Sequence, residues 1–202
     1  MNTISVMIVG VGGQGTLLAS KVLGQALVSM DYDVKVSEVH GMSQRGGSVV
    51  TYVRYGDEVH SPIVDLGQAD YMLAFEPLEA ARYLPYLKKD GVIITNTRET
   101  MPMPVITGAA AYPENIVEKL KARANVVALD AMVLALEAGN AKAVNMVLMG
   151  VLAARIVLLE KLDRLVDGIA DLLILLGRAV GFARRHTFKS LAEVLAVGLA
   201  HE

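Results

Sequence analysis

No cysteine occurs among the 202 residues. Disulfides, cysteine-ligated zinc, a cysteine nucleophile and any iron–sulfur cluster held by this chain alone are therefore excluded. Charge is also sparse, at 20% of residues with a net charge of −2. There is no stripe of Lys and Arg of the kind that phosphate-backbone binding needs, so no nucleic-acid partner is expected. Long apolar runs are missing as well: Ala143 to Ala154 contains Asn145 and ends at Arg155, and Leu165 to Leu176 carries Asp167 and Asp171. Neither reaches the roughly 18 uninterrupted apolar residues of a membrane span. The N-terminus shows no cationic stretch ahead of an apolar run and cleavage site, so a cytoplasmic home is expected. His60, His186 and His201 lack ligand spacing and no metal site is expected. Ser43, Ser48 and Ser61 lack a GxSxG elbow, which removes support for a hydrolase triad.

What the chain has in excess is apolar side chain, 53% of residues with a mean hydropathy of +0.45. In a chain of this length, sufficient for one α/β domain with a helical appendage, such a surplus points to apolar surface covered by another subunit. Ile4 to Val9 is a β-branched run that stops at glycines, and Thr16 to Met30 has helical spacing of Leu17, Leu18, Val22, Leu27 and Val28. The order is strand, turn, helix. Val34 to Val39 reads as a second strand reached by a right-handed crossover, and Val49 to Tyr55 as a third. Gly56 to Glu58 suits a hairpin into Val59 and His60, giving an antiparallel edge.

Tyr71 to Phe75, Val92 to Thr95 and Val126 to Leu129 read as further strands, with Asp90 and Gly91 as punctuation before the second of these. Helices are expected from Pro77 to about Leu84 and from Pro113 to about Ala124, and Met101 to Pro104 as an extended linker. From Ala131 onward the pattern is mostly helical, with glycines such as Gly139 as breaks. The expected architecture is three-layer α/β: a mostly parallel sheet with a Rossmann-like glycine-rich first turn, an antiparallel edge hairpin and a helical C-terminal part. Residues 1–154 form its main body and 155–202 a helical extension.

Two polar segments stand out. In GVGGQGT, Gly10, Gly12 and Gly15 have the spacing of a dinucleotide-binding turn, and the backbone of Gly12, Gly13, Gln14, Gly15 and Thr16 is placed to meet an anion at a helix N-terminus. Glu38, near the end of the second strand, lies where a ribose-binding carboxylate belongs. Gly13 and Gln14 alter the usual turn, however, so NAD and other anions both remain open, as does a turn that serves packing alone. In SEVHGMSQRGGSV, Arg45 has the fork to clamp a carboxylate or phosphate, Gln44 flanks it, and Gly46, Gly47 and Ser48 offer backbone donors. His40 titrates in the range suited to proton transfer. A solvated loop and a structural histidine are the plain alternatives. Glu76 in FEPLEA either faces the same edge or simply caps a helix.

Taken together, VGVGGQGTLLASKVLGQA, VKVSEVHGMSQRGGSVVTYVRYG, FEPLEAARYLPYL, NTR and GNAKAVNMVLMG, in this order over Ile4 to Leu152, closely resemble the gamma-type domain of 2-oxoacid:ferredoxin oxidoreductases. Within that family the indolepyruvate group of beta subunits is the most similar. Beyond about Ala154 the resemblance weakens, since Arg155 to Glu202 contains no proline where family members carry proline-flanked segments. The resemblance implies a small subunit of an enzyme that decarboxylates an aryl 2-oxoacid, transfers the acyl group to coenzyme A and reduces ferredoxin. It further implies that thiamine diphosphate and iron–sulfur clusters sit in a large partner subunit. His40 and Arg45 are then the candidate catalytic residues, and the Gly12–Thr16 turn with Gln44–Ser48 the candidate wall for coenzyme A or substrate. A self-sufficient NAD(P) enzyme and a non-catalytic scaffold are the competing readings.

Overall fold

The computed structural model describes residues 3–40 and 46–160. The chain divides into two compact units, Met1–Ala131 and Met132–Glu202.

The first unit is built on six strands: β1 (Ile4–Val11), β2 (Asp33–His40), β3 (Ser48–Gly56), β4 (Ala69–Ala74), β5 (Leu87–Asn96) and β6 (Asn125–Leu129). They lie in the order β2-β3-β1-β4-β5-β6. β1, β4, β5 and β6 pair in parallel, while β3 runs antiparallel to both β1 and β2. One face buries Met7, Val9, Val50, Tyr52, Met72 and Ile93 with Ala80 of helix α2 (Pro77–Tyr83) and Ile116 and Leu120 of helix α4 (Ile116–Lys121). The alternate residues of the same strands, Val6, Ile8, Val53, Leu73 and Ile94, are also buried, and helix α1 (Thr16–Ser29) packs against β1, β2 and β3. Helices and sheet thus make the expected three layers. Burial on both faces is why these strands carry nearly continuous apolar runs.

The antiparallel edge is present, but its hairpin differs from the expectation. It joins β2 to β3 across the polar loop, and Val59 and His60 form no strand. β2 does run parallel to β1, with β3 inserted between them, so the crossover spans two strand positions. A charged residue, Arg54, lies within β3 and could have faced solvent. Its guanidinium instead binds Ser5 Oγ at 3.2 Å and the carbonyls of Ser61 and Ile63 at 3.0 Å each, holding the segment after Gly56 across the sheet end.

Three further boundaries shift. Asp90 and Gly91, expected as punctuation, lie inside β5, beside a register irregularity between Ala69 and Tyr71. Met101–Pro104 is not wholly extended: a one-turn helix α3 (Met103–Ile106) starts after Pro102, because proline is tolerated in a first turn. α4 begins only at Ile116, since Asn115 adopts a left-handed φ of 54°.

Within α1, Gly24 has room: an added Cβ meets only Val36 Cγ2, at 3.5 Å. Gly24→Ala is therefore expected to stabilise the chain by about 0.5–1 kcal/mol, by removing unfolded-state entropy without a clash. A higher urea midpoint checks it.

In the second unit, helix α5, which begins at Ala131 and runs to Glu137, ends in a Schellman motif. Gly139, at φ 83°, donates to Leu136 O at 2.8 Å, and Asn140 donates to Ala135 O at 2.9 Å. Asn140 Oδ1 then caps a short turn by accepting from Lys142 N–H at 2.9 Å, and helix α6 (Val144–Glu160) follows. No helix among the described residues is long and apolar enough to cross a membrane.

Candidate functional site

Strand order reverses at β1, which has β3 on one side and β4 on the other. In open α/β sheets the crevice outside the carboxyl ends of strands at such a switch point is where ligands bind. The glycine turn leaves β1 there and Glu76 leaves β4 there, so the N-termini of α1 and α2 follow directly from it.

The two N-termini differ electrostatically. α2 is capped by its own chain: Glu76 is 1% exposed and its Oε2 accepts from Glu79 N–H at 3.0 Å. α1 has Gly15 at its N-cap in the left-handed region, with no side-chain cap and no acidic residue in its first turn. Its first helical bond is Ala19 N–H to Gly15 O at 3.1 Å, so the amides ahead of it have no helical acceptor. Of the two, only the positive end of α1 is left without a capping or acidic side chain among the described residues.

The glycine turn and the polar loop meet. Gly12 N–H donates to Gly47 O at 2.8 Å and Gly46 N–H donates to Gly12 O at 3.4 Å, continuing the β1–β3 pairing past Val11 and Ser48. Gly13 and Gly15 hold φ of 102° and 85°, which only glycine adopts without strain. Gln14 folds its side chain back over the end of β1. Its Oε1 accepts from Val11 N–H at 2.8 Å and its Nε2 donates to Thr100 Oγ1 at 3.3 Å. Thr16 is buried at the start of α1.

This geometry is unlike that of a dinucleotide-binding turn. The Gly12 backbone, which a pyrophosphate would approach, is already paired with Gly46 and Gly47. With β3 inserted, β2 lies two strand spacings from β1, on the order of 10 Å, where a ribose-binding acid needs the adjacent strand. Glu38 is exposed there, with Ser20 Oγ 3.5 Å from its Oε1.

His40 is the last residue of β2 and its backbone is in register with Val49. Gln44 and Arg45 lie outside the described residues. Ser48, at the start of β3, donates its hydroxyl proton to Glu79 Oε2, and Tyr83 OH lies 3.3 Å from the same Ser48 oxygen.

Four residues of this network escaped sequence reasoning: Glu79, Tyr83, Thr100 and Tyr112. Glu76 Oε1 accepts from Thr100 N–H at 3.4 Å and from the Tyr112 hydroxyl. Burial and the Glu76 carboxylate together push the Tyr112 phenol well above the ordinary tyrosine range. The paired acids at the start of FEPLEA were the available signal. Thr100 and Tyr112 had none, lying on either side of the Met101–Pro104 linker where no element is expected.

The family model for pyruvate ferredoxin/flavodoxin oxidoreductase matches residues 5–173. The chain belongs to this family. Indolepyruvate oxidoreductase subunit IorB of Pyrococcus horikoshii is 48% identical over 157 residues, covering 75% of this chain and 77% of that one. The fold is shared with pyruvate oxidoreductase subunit PORC of Thermotoga maritima at a TM-score of 0.64 and 18% identity, covering 98% of this chain and 96% of that one. It is shared also with a 2-oxoglutarate:ferredoxin oxidoreductase of Magnetococcus marinus, at a TM-score of 0.63 and 16% identity over 99% of this chain and 31% of that longer one. This family member is a small subunit of a multi-subunit 2-oxoacid oxidoreductase.

Proposed function

We propose that this subunit forms one wall of an active site that oxidatively decarboxylates an aryl 2-oxoacid of the indolepyruvate type to its acyl-CoA and passes two electrons to ferredoxin, in a cytoplasmic complex. The identity to an indolepyruvate oxidoreductase subunit supports the substrate class. The observation that carries the wall reading is the Gly12–Gly47 pairing, which joins the uncapped N-terminus of α1 to the stem of the polar loop.

A chain without cysteine has no thiolates for an iron–sulfur cluster, so the clusters are assigned, with thiamine diphosphate, to a large partner subunit. Bound there, these groups supply the electron sink for decarboxylation and the path for electrons. The residues of this chain contribute binding and orientation. Backbone N–H groups of Gly13, Gly15 and Thr16 in the turn, and of Gly47 and Ser48 in the stem, face a phosphate of coenzyme A or the substrate carboxylate, those of Gly12, Gln14 and Gly46 being committed to the Gly47, Val11 and Gly12 carbonyls; Gln44 and Arg45 clamp it, and His40 moves a proton beside it. The Ser48 hydroxyl is committed to Glu79, so its share of this role falls to the backbone.

Arg45→Ala in the assembled complex is expected to raise KM for coenzyme A or for the 2-oxoacid about 10- to 100-fold, the worth of one charge-assisted hydrogen bond. Steady-state kinetics with unchanged constants for both would overturn the reading. An effect confined to assembly, with turnover per assembled complex intact, favours a scaffold role instead. Calorimetric titration of the chain with NAD and NADP is expected to be silent; micromolar binding would restore the dinucleotide reading.

A further inference from the structure

The two carboxylates at the start of α2 hold opposite flanks of this wall. Glu76 reaches the glycine turn through Thr100 and Gln14, whereas Glu79 reaches the stem of the polar loop through Ser48. Glu79 is 5% exposed, and both its oxygens are used: Oε2 takes the Ser48 proton and Oε1 accepts from Arg82 Nε at 3.2 Å. Burying a carboxylate opposes folding unless its partners compensate; Arg82 compensates the charge, but the reach to Ser48 still calls for a reason. The backbone geometry supplies one. Of the two bonds between Gly12 and the loop stem, that from Gly46 is 3.4 Å long, at the outer limit of a hydrogen bond. Of the described bonds between the stem and Gly12, one is therefore well formed, and the Ser48–Glu79 bond is a further hold on the stem.

We infer that Glu79 is a positioning residue: acting through Ser48, it sets the pose of Gly46 and Gly47 against the glycine turn without itself touching a ligand. The functional part of this inference rests on the reading of the turn and stem as an anion-facing wall. The geometric part does not. A carboxamide oxygen still accepts the Ser48 proton, so Glu79→Gln should substitute for the parent, whereas Glu79→Ala and Ser48→Ala each release the stem.

The test compares these variants in the assembled complex. Glu79→Ala and Ser48→Ala are each expected to speed hydrogen exchange in peptides spanning Gly12 and Gly46 by about 10-fold. They are also expected to raise about 3- to 10-fold whichever KM responds to Arg45→Ala, with kcat per assembled complex within about 2-fold of the parent. Glu79→Gln is expected to restore both readouts, and the Ser48→Ala/Glu79→Ala double variant to be no worse than either single one, as for residues that act as a pair. Parental exchange and KM in both alanine variants, with only the melting temperature lowered, overturns the inference even where Arg45→Ala behaves as expected. Faster exchange at Gly12 and Gly46 with a silent Arg45→Ala upholds the positioning role and discards the wall reading.

Discussion

Glu76→Ala is expected to destabilise the protein by about 2–3 kcal/mol. The carboxylate receives three donors, Glu79 N–H, Thr100 N–H and the Tyr112 hydroxyl, in a position 1% exposed. Loss of the helix cap alone costs about 1 kcal/mol. Each donor left without an acceptor adds on the order of 1 kcal/mol, less where water reaches the half-buried Thr100 and Tyr112. For a chain of this size the melting temperature should fall by about 4–12 °C, and a fall of under about 2 °C would show that the network is not what holds the 97–112 segment. A pH series isolates one bond. Because the folded Tyr112 keeps its proton above the ordinary value of 10.0, the unfolded chain releases that proton first, and stability drops as pH rises beyond 10.0. Tyr112→Phe should be less stable than the parent below that pH and lose stability less steeply above it. Parallel slopes in thermal melts between pH 8 and 11 would count against the bond.

Much of the sheet is legible in the sequence because strands buried on both faces leave short β-branched runs between glycine and proline signals, as at Ile4–Val9, Tyr71–Phe75 and Val126–Leu129. What is not legible is partner choice. Gly56–Glu58 suits a hairpin pairing Val49–Tyr55 with Val59 and His60, yet β3 sits between β1 and β2, and its Arg54 finds acceptors on Ser5, Ser61 and Ile63. Those acceptors exist only after folding. Asp90 and Gly91 mislead for a similar reason: a Cβ at Gly91 would come within 2.9 Å of the Ala69 carbonyl, so that glycine marks close strand approach and not a turn.

The candidate site divides in the same way. Gly12, Gly15 and the Gly46–Gly47 pair are visible because positive φ and close backbone pairing favour glycine, and geometry of that kind leaves a local signature. Gln14 is visible too, but as a departure from the dinucleotide pattern; its meaning lies in Thr100, 86 positions away. Glu76 supports both of its sequence readings, since it caps α2 and also sits at the edge where the two loops meet. Its neighbour Glu79 carries a role that no spacing rule exposes. A carboxylate in the first turn of a helix is ordinary, and only the fold brings Ser48 to it.

Gly10→Val tests whether Gln14 fills the space over the end of β1. A Cβ at Gly10 would lie 2.8 Å from Gln14 Oε1, 3.2 Å from Phe75 Cβ and 3.3 Å from Thr16 Cγ2. The first contact is with the tip of a flexible side chain, but that tip is held by Val11 N–H and, through its amide, by Thr100. Gly10→Ala must therefore displace Gln14 and strip Val11 N–H of its acceptor, a loss of about 1–2 kcal/mol. Valine adds two methyl groups against Phe75 Cβ, which moves only with the backbone, and against Thr16 Cγ2 on a buried side chain, and the cost should rise to about 3 kcal/mol or more. Turnover should suffer with stability, because the displaced turn carries Gly12 and its pairing with Gly47: at least a 10-fold loss per assembled complex is expected, about 1.4 kcal/mol in the transition state. The contrast with Gly24→Ala, a glycine of the helix that follows, makes the result specific to this position. A Gly10→Val chain within about 0.5 kcal/mol of the parent, turning over normally in its complex, would mean that the glycine turn does not depend on the Gln14 fold-back at all.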